Sequence, residues 1–594
     1  MRNAETVLAV VEERGKRGLP LQDLYRQLYN RNLYLAAYSR IARNDGAMTP
    51  GTTTETADGM RLAKIDGIIE ALRFERYRWT PVRRVNIPKA NGKTRPLGIP
   101  TWSDKLLQEV IRMLLEAYFE PRFSDRSHGF RPNRGCHTAL SEVQLRWTGT
   151  TWFIEGDIKG CFDNLDHEVL MAALREHIHD NRFLRLISNL LRAGYLENWK
   201  YGRTLSGTPQ GGVVSPILAN VYLDGLDRFV EQNLIPAYTL GTKRRSNPAY
   251  ATLRGAAYRA KSKGDLETAE EKRKQFQRLP SSDPNDPTYR RLHYIRYADD
   301  FLLGFAGPKA EAEEIKRQLG KFLSDSLKLE LSEEKTLVTH ARTAAANFLG
   351  YEVVTLQDDA KHAHGKRSIN ARIGLKVPQT VIKAACAKYM KHGKPIHRPE
   401  LIHDDDYSIT ATFQSRYRGI VQYYALAYNV SRLAKLRWVM ETSLLKTLAN
   451  KHKATVQAIA DRYKTSIQRP EGTYRVLQIV RERGEGRKPL VANFGGIPLR
   501  RQKTAILKDV IPTVRIGSSE LLQRLLADTC ELCGSTDNIE VHHIRKLADL
   551  NKKGRPEKPL WARVMAARQR KTLVVCSRCH DNITYGRPIV SQTE

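Results

Sequence analysis

The sequence predicts a multidomain α+β chain. Three observations carry that reading. The length, 594 residues, is enough for several cores. Short apolar strands end in carboxylates at Asp157 and at Asp299-Asp300. Two Cys-x-x-Cys pairs, Cys530/Cys533 and Cys576/Cys579, stand near the C-terminus. The formal net charge is +34, from 98 basic and 64 acidic residues. A polyanion such as nucleic acid would neutralise that excess. No apolar run is long enough for a bilayer span, the N-terminus does not read as a signal peptide, and no Lys-rich amphipathic anchor stands out. No membrane partner is therefore expected. The cysteine usage is metal spacing in a reducing compartment, not a disulfide framework.

Residues 1–80 read as helical and mixed in charge, with helix-like spacing from Leu21 to Tyr38. Residues 83–100 then read as a basic hairpin turning at Asn91-Gly92-Lys93, either solvated or facing an anion. An amphipathic helix follows from Asp104 to Phe119. The segment Ser127–His137 is rich in Gly, Arg and His, and its histidines suit backbone hydrogen bonding better than metal. Residues 151–158 form a strand ending at Asp157, and Asp166 caps a helix starting near His167. Gly207-Thr208-Pro209-Gln210-Gly211-Gly212 is a loop whose glycines allow close backbone approach to a ligand, anchored by a helix after Ser215. A charged, helical insertion spans about 236–290.

The run Leu292–Arg296 and the run Phe301–Phe305 make a hairpin around Tyr297-Ala298-Asp299-Asp300. Adjacent carboxylates repel beside apolar strands unless cations sit there. Hard divalent ions such as Mg²⁺ suit them and keep positions open for phosphate. A solvated turn is the competing reading, and the second acidic strand end at Asp157 weighs against it. Leu331–Thr336 precedes a strand, and Asn347–Val353 reads as another. From about 360 to 515 apolar stripes follow helical spacing, through Phe413, Tyr417 and Val421 and through Leu436, Met440 and Leu444. From Lys451 to Val510 fourteen Lys/Arg face five Asp/Glu, densest at Arg481, Arg483, Arg487 and Lys488. In the C-terminal part, Cys530, Cys533, Cys576 and Cys579 have the spacing of a structural zinc site. His542, His543 and His580 lie between and beside them and offer a second metal site.

These strings resemble the group II intron-encoded reverse transcriptases, in the order palm, helical thumb, HNH domain. The resemblance implies a right-hand polymerase with an acidic β-hairpin in its palm, a helical thumb and maturase region, and a small zinc-containing ββα HNH domain. The implied boundaries are 1–80 for a fingers extension, 81–355 for fingers and palm, 356–515 for thumb and maturase, and 516–594 for the endonuclease. Asp157, Asp299 and Asp300 become the catalytic carboxylates, holding two Mg²⁺ with Ile158 beside them. Phe162 becomes the gate beneath the sugar that selects dNTPs, with a core aromatic as the bland reading. Lys89, Lys93 and Arg95 face the triphosphate, Gln210 touches template or nucleotide, and Lys335 approaches the triphosphate or acts as general acid.

In the HNH domain the resemblance makes His543 the general base and His542 and His580 the cation ligands. Thr572 and Thr584 depart from the common pattern, where Asn and His are usual. A threonine cannot replace an imidazole ligand, so the expected cation is Mg²⁺ with water ligands. The implied function is RNA-directed DNA synthesis, intron splicing and target-primed mobility, with intron RNA, target DNA and dNTPs as partners. The implied compartment is the bacterial cytoplasm, at the nucleoid when engaging DNA, or an organelle. A splicing-only RNA-binding maturase with an inactive endonuclease is the alternative.

Overall fold

The computed structural model describes residues 3–588 apart from 89–91, 93, 198–199, 203–206, 208–210, 285, 364–365, 484–487, 504–519, 545–549, 551–558 and 569. Lys89, Lys93, Gln210 and Arg487 therefore lie outside the described residues.

The N-terminal region is helical, as its spacing predicts. The helices Ala4–Lys16, Arg31–Ile41 and Leu62–Arg73 share an apolar core with the long helix Trp102–Phe119. The Asn30 side chain accepts from the Asn32 N–H, so the stretch from Leu21 to Tyr38 breaks into Leu24–Gln27 and Arg31–Ile41. The basic hairpin pairs Val82–Pro88 with Thr94–Ile99.

A five-stranded sheet forms the palm. Its order is Ser127–His128, Arg291–Tyr297, Asp300–Ala306, Trp152–Asp157, Val338–His340. Alternation along these strands sends Phe153, Ile295 and Leu302 to one core and Ile154, Tyr294, Phe301 and Leu303 to another. Burying each such side chain stabilises by about 1.5–3 kcal/mol. The helices Ser215–Phe229 and Lys309–Leu327 pack in the core of Ile154, and Cys136–Arg146 in the core of Phe153. The register that this packing imposes pairs Asp157 with Asp300 across neighbouring strands. The insertion holds two helices, Pro248–Ser262 and Leu266–Gln277.

Two expectations are corrected. Asn347–Val353 is not one strand. Leu349 and Gly350 adopt positive φ of 48° and 70°, and this turn separates Ala346–Phe348 from Tyr351–Ala363 as a hairpin. The region from 356 to 515 is not purely helical either. The helices Asp406–Tyr423 and Ala434–His452 are present, but Lys464–Arg469, Gly472–Arg481 and Leu490–Gly495 form an antiparallel sheet. That sheet packs Phe494 against Phe413 and Tyr417 of the first helix. The joint to the palm is hydrogen-bonded: the Tyr423 hydroxyl donates to Leu349 O at 2.8 Å and the Tyr424 hydroxyl to Gly350 O at 3.0 Å. Tyr351 donates to Tyr423 O, and His137 Nε2 donates to the same oxygen at 2.7 Å.

The C-terminal unit has the expected ββα order, Ile539–His543 paired with Thr572–Cys576 and followed by the helix Ser577–Tyr585. It sits against the N-terminal region. Gly59 N–H donates to Val541 O and Val541 N–H to Met60 O, both at 3.0 Å. Leu521, Leu522, Leu525 and Val541 join the core that also holds Ala57 and Met60.

Candidate active site and metal centres

The acidic hairpin turns between Tyr297 and Asp300, with Ala298 in the left-handed region at φ 54°. The turn is held from behind. Ala298 N–H donates to His128 O at 2.9 Å, and Gly129 lies so close that a Cβ there would stand 2.9 Å from that nitrogen. Arg296 is fully buried beside the equally buried Asp227, with Nη2 2.6 Å from Oδ2. The same guanidinium donates to Ala298 O at 2.9 Å and to Ser127 Oγ at 2.8 Å. Tyr294 donates to Asp227 Oδ1 at 2.7 Å, so the buried carboxylate is well satisfied. A planar guanidinium with several donors can thus fix one turn geometry.

The turn presents Asp299 and Asp300 to Asp157. Burial, then the charges of Asp299 and Asp157, push Asp300 up to about 7. Burial and Asp157 also raise Asp299, opposed by Arg95. Three carboxyl groups so placed cannot all ionise cheaply without cations, and this donor chemistry fits hard divalent ions. Lys335 Nζ lies 2.8 Å from Asp157 Oδ2, and that hydrogen bond, ahead of the opposing burial, raises the lysine. Ile158 turns its side chain into the core and bridges Leu331 through its backbone. Phe162 is half-buried, with its ring 6.2 Å from that of Phe130 in an edge-on arrangement. Gly211 approaches the basic hairpin so closely that a Cβ would stand 2.7 Å from Gly98 O.

In the C-terminal unit the four cysteine sulfurs gather within 4.8 Å of one another. Cys533 Sγ and Cys576 Sγ are 3.7 Å apart. Tetrahedral Zn–S bonds of about 2.3 Å put neighbouring sulfurs roughly 3.8 Å apart, so the set fits zinc. A second group joins His542, His580 and Asp58. His580 Nδ1 is 2.7 Å from Glu540 Oε1, and its Nε2 is 3.1 Å from Asp58 Oδ1. Burial would lower His580, yet Asp58 and Glu540 together hold it up at about 9. Burial likewise opposes ionised Asp58, and the two imidazoles outweigh it, holding that carboxyl well below its usual range. His543 pairs with Thr572 across the strands, and burial pushes its imidazole down to about 4. Thr572 accepts from Arg524 at 2.9 Å.

The structure thus brings together Asp157, Asp299, Asp300 and Lys335, with Arg95 acting on Asp299. It gathers the four cysteines separately and joins His542 to His580. Sequence reasoning missed Arg296 and Asp227, whose pairing is long-range, and Asp58. The Asp58-Gly59 dipeptide signals only a turn.

Residues 87–353 match the family model for reverse transcriptase (RNA-dependent DNA polymerase). Residues 370–479 match type II intron maturase, and residues 530–580 match AI2M/AI1M-like HNH endonuclease. The chain is 40% identical to the group II intron-encoded protein LtrA of Lactococcus lactis subsp. cremoris, over 95% of each chain. It is 32% identical to a putative COX1/OXI3 intron 1 protein of Saccharomyces cerevisiae, over 93% of this chain and 67% of that one. It is 34% identical to protein YkfC of Escherichia coli, over 57% of this chain and 84% of that one.

Proposed function

The chain belongs to the group II intron-encoded proteins, and from that premise we propose that Asp157, Asp299 and Asp300 are the cation-binding carboxylates of its polymerase. It is a multifunctional reverse transcriptase with maturase and HNH endonuclease domains. Among the described residues no helix is long and apolar enough to cross a membrane. The observation that carries the residue assignment is the pairing of Asp157 with Asp300 across neighbouring strands, with Asp299 next to it in the turn and Asp300 raised to about 7 by burial and by both neighbours. Two divalent cations bound there would stabilise the attacking and leaving oxygens of an in-line phosphoryl displacement. The protein's own part is positional. Arg296 and Gly129 fix the turn, Lys335 stands beside Asp157 as a proton and charge donor toward phosphate, and Arg95 offers a bidentate fork to phosphate oxygens. Ile158 joins the cation shell through its backbone, and Lys89, Lys93 and Gln210 complete the nucleotide contacts by family resemblance.

We take the domain limits as 1–80, 81–355, 356–515 and 516–594. The test of the whole reading is primer extension on an RNA template with dNTPs and Mg²⁺. Phe162 stands as the sugar gate. Phe162→Ala should admit ribonucleotides, measured as rNTP against dNTP incorporation, with the preference falling about tenfold or more. That figure corresponds to the roughly 1–3 kcal/mol that steric discrimination in an apolar pocket supplies. Unchanged discrimination would leave Phe162 as packing only.

The maturase region serves intron RNA, and its basic strands favour this. Arg481 ends one strand near Asp405, with the closest atoms 3.4 Å apart, and Arg483 Nε donates to Lys488 O at 2.8 Å. Affinity for intron RNA should fall steeply with salt. Neutralising Arg481, Arg483 and Lys488 together should lower the log–log salt slope by about two, given about 0.7–0.9 per phosphate neutralised. Splicing should suffer more than primer extension. Normal splicing and an unchanged slope would move the RNA surface elsewhere.

In the C-terminal domain, Cys530, Cys533, Cys576 and Cys579 hold a structural zinc whose shell is closed to chemistry. His542 and His580 bind the endonuclease's divalent cation, which when bound stabilises the leaving 3′-oxygen. His543, neutral near pH 7, takes the proton from the attacking water. The nick leaves a 3′-hydroxyl for the palm to extend, which joins the two activities in target-primed mobility.

A further inference from the structure

The endonuclease cation lacks a ligand that the common pattern would supply at Thr584. The Thr584 hydroxyl donates to His580 O, one helical turn back, at 3.0 Å and is therefore tied to its own helix. A carboxylate arrives instead from the opposite end of the chain. Asp58 Oδ1 stands 3.1 Å from His580 Nε2 and 3.5 Å from His542 Nδ1. Ligands bonded at about 2.1 Å and separated by roughly 90–110° around one cation lie about 3.0–3.4 Å apart, which these distances approach.

The rest of the cluster points the same way. Glu540 at 2.7 Å receives the Nδ1 proton of His580 and so aims its Nε2 at Asp58. Such a carboxylate behind a histidine is the usual support for a metal-bound imidazole. The Nε2 that faces Asp58 Oδ1 at 3.1 Å holds a proton in the cation-free protein, and a cation can take that proton's place between the two atoms. His542 is 7% exposed, and neither of its nitrogens has a hydrogen-bond partner among the described residues. An unsatisfied buried imidazole calls for a ligand. The Asp58 turn is held in place by the backbone: His543 N–H donates to Asp58 Oδ1 at 2.7 Å, beside the two bonds that join Gly59 and Met60 to Val541. A cavity of about 600 Å³ opens beside His543 between the same two regions, lined by Arg43, Arg524, Arg570 and Lys571 among others. Arg43 and Lys571 can face a phosphate there, while Arg524 and Arg570 pair with Glu531.

We propose that Asp58 is a third ligand of the endonuclease cation, so that the nuclease site is assembled from the fingers extension and the HNH domain together. The proposal rests on the reading of His542 and His580 as cation ligands. Two imidazoles and one carboxylate suit borderline divalent ions, with positions left open for water and a phosphate oxygen. Mn²⁺ accepts such a mixed nitrogen and oxygen set and is paramagnetic, which makes it the probe.

The test uses the full chain with zinc bound and with Asp157→Asn, Asp299→Asn and Asp300→Asn, so that the palm does not compete for Mn²⁺. Titration followed by the electron paramagnetic resonance of free Mn²⁺ should reveal a tight site. Asp58→Asn should raise its dissociation constant at least about tenfold, since even supporting partners of metal ligands are worth about 10–100-fold. Retained zinc reports that the domain stays folded. If His542→Ala weakens binding and Asp58→Asn does not, Asp58 is no ligand and only this proposal falls. If neither substitution matters, the histidine assignment falls with it. Should Asp58→Asn lose zinc, hydrogen exchange of the chain that keeps Asp58 decides. Mn²⁺ should slow exchange at Gly59 and Met60 together with His542 and His543. Protection confined to the histidine strand would overturn the proposal.

Discussion

Asp299→Asn is expected to abolish primer extension while leaving intron RNA binding near its original strength. Asparagine keeps the size and much of the hydrogen bonding of aspartate but gives up its charge. The lost charge is the one that the cation site needs, so the rate should fall by at least about 10²–10³, as it does when a preorganised electrostatic group is removed. The substitution should not harm the fold. Burial and the neighbouring Asp157 raise Asp299, so its ionised form is a burden on the cation-free protein. Removing it should raise the unfolding midpoint measured without divalent ions. A dead enzyme that is more stable is therefore the signature sought. Undiminished extension at saturating dNTP would take Asp299 out of the cation site.

His543→Ala should stop nicking of the target DNA and spare extension of a supplied primer. The imidazole lies beside the cavity between the two regions, and burial holds it neutral at physiological pH. Neither of its nitrogens has a hydrogen-bond partner among the described residues, which leaves one to accept a proton from water. A positioned base is worth about 10²–10⁴ in rate, so residual cutting should be barely measurable. The assay is a labelled duplex target incubated with the purified protein–intron particle, scored for a cut on the strand opposite reverse splicing. Reverse splicing without that cut in the unsubstituted protein would mean that the domain keeps its fold and has lost its chemistry.

Much of this was legible because the palm is written in short strings. An apolar strand, a turn and two aspartates need no distant partner to be read, whereas the register of Asp157 with Asp300 is a long-range pairing that only the structure gives. Asp166 was a readable cap because capping is local, and its carboxylate does accept from Val169 N–H at 3.0 Å. Paired cysteines announce themselves by spacing. The sheet at 464–495 was missed although a signal was there. Tyr474, Val476, Ile479 and Val480 are aromatic or β-branched, a strand preference that the count of charges obscured. Leu349-Gly350 was read through as strand because neither neighbour breaks the apolar pattern. Arg296 looked like a strand residue, and its partner Asp227 is buried 69 residues upstream. Asp58 lies 522 positions from His580, beyond any local rule.

The tyrosines at the junction of thumb and palm have a mechanical consequence. Four hydrogen bonds hold this joint: Tyr423 and Tyr424 donate to the Leu349-Gly350 turn, and Tyr351 and His137 donate to Tyr423 O. At about 0.5–1.5 kcal/mol each, parting the two sides of the joint would forfeit roughly 2–6 kcal/mol. The splayed form is then a rare excursion, at most a few molecules in a hundred. A duplex clasped by such a hand stays in its grip between successive additions. Loosening the joint with Tyr423→Phe would show as shorter runs of synthesis per encounter, at an unaltered pace for each nucleotide.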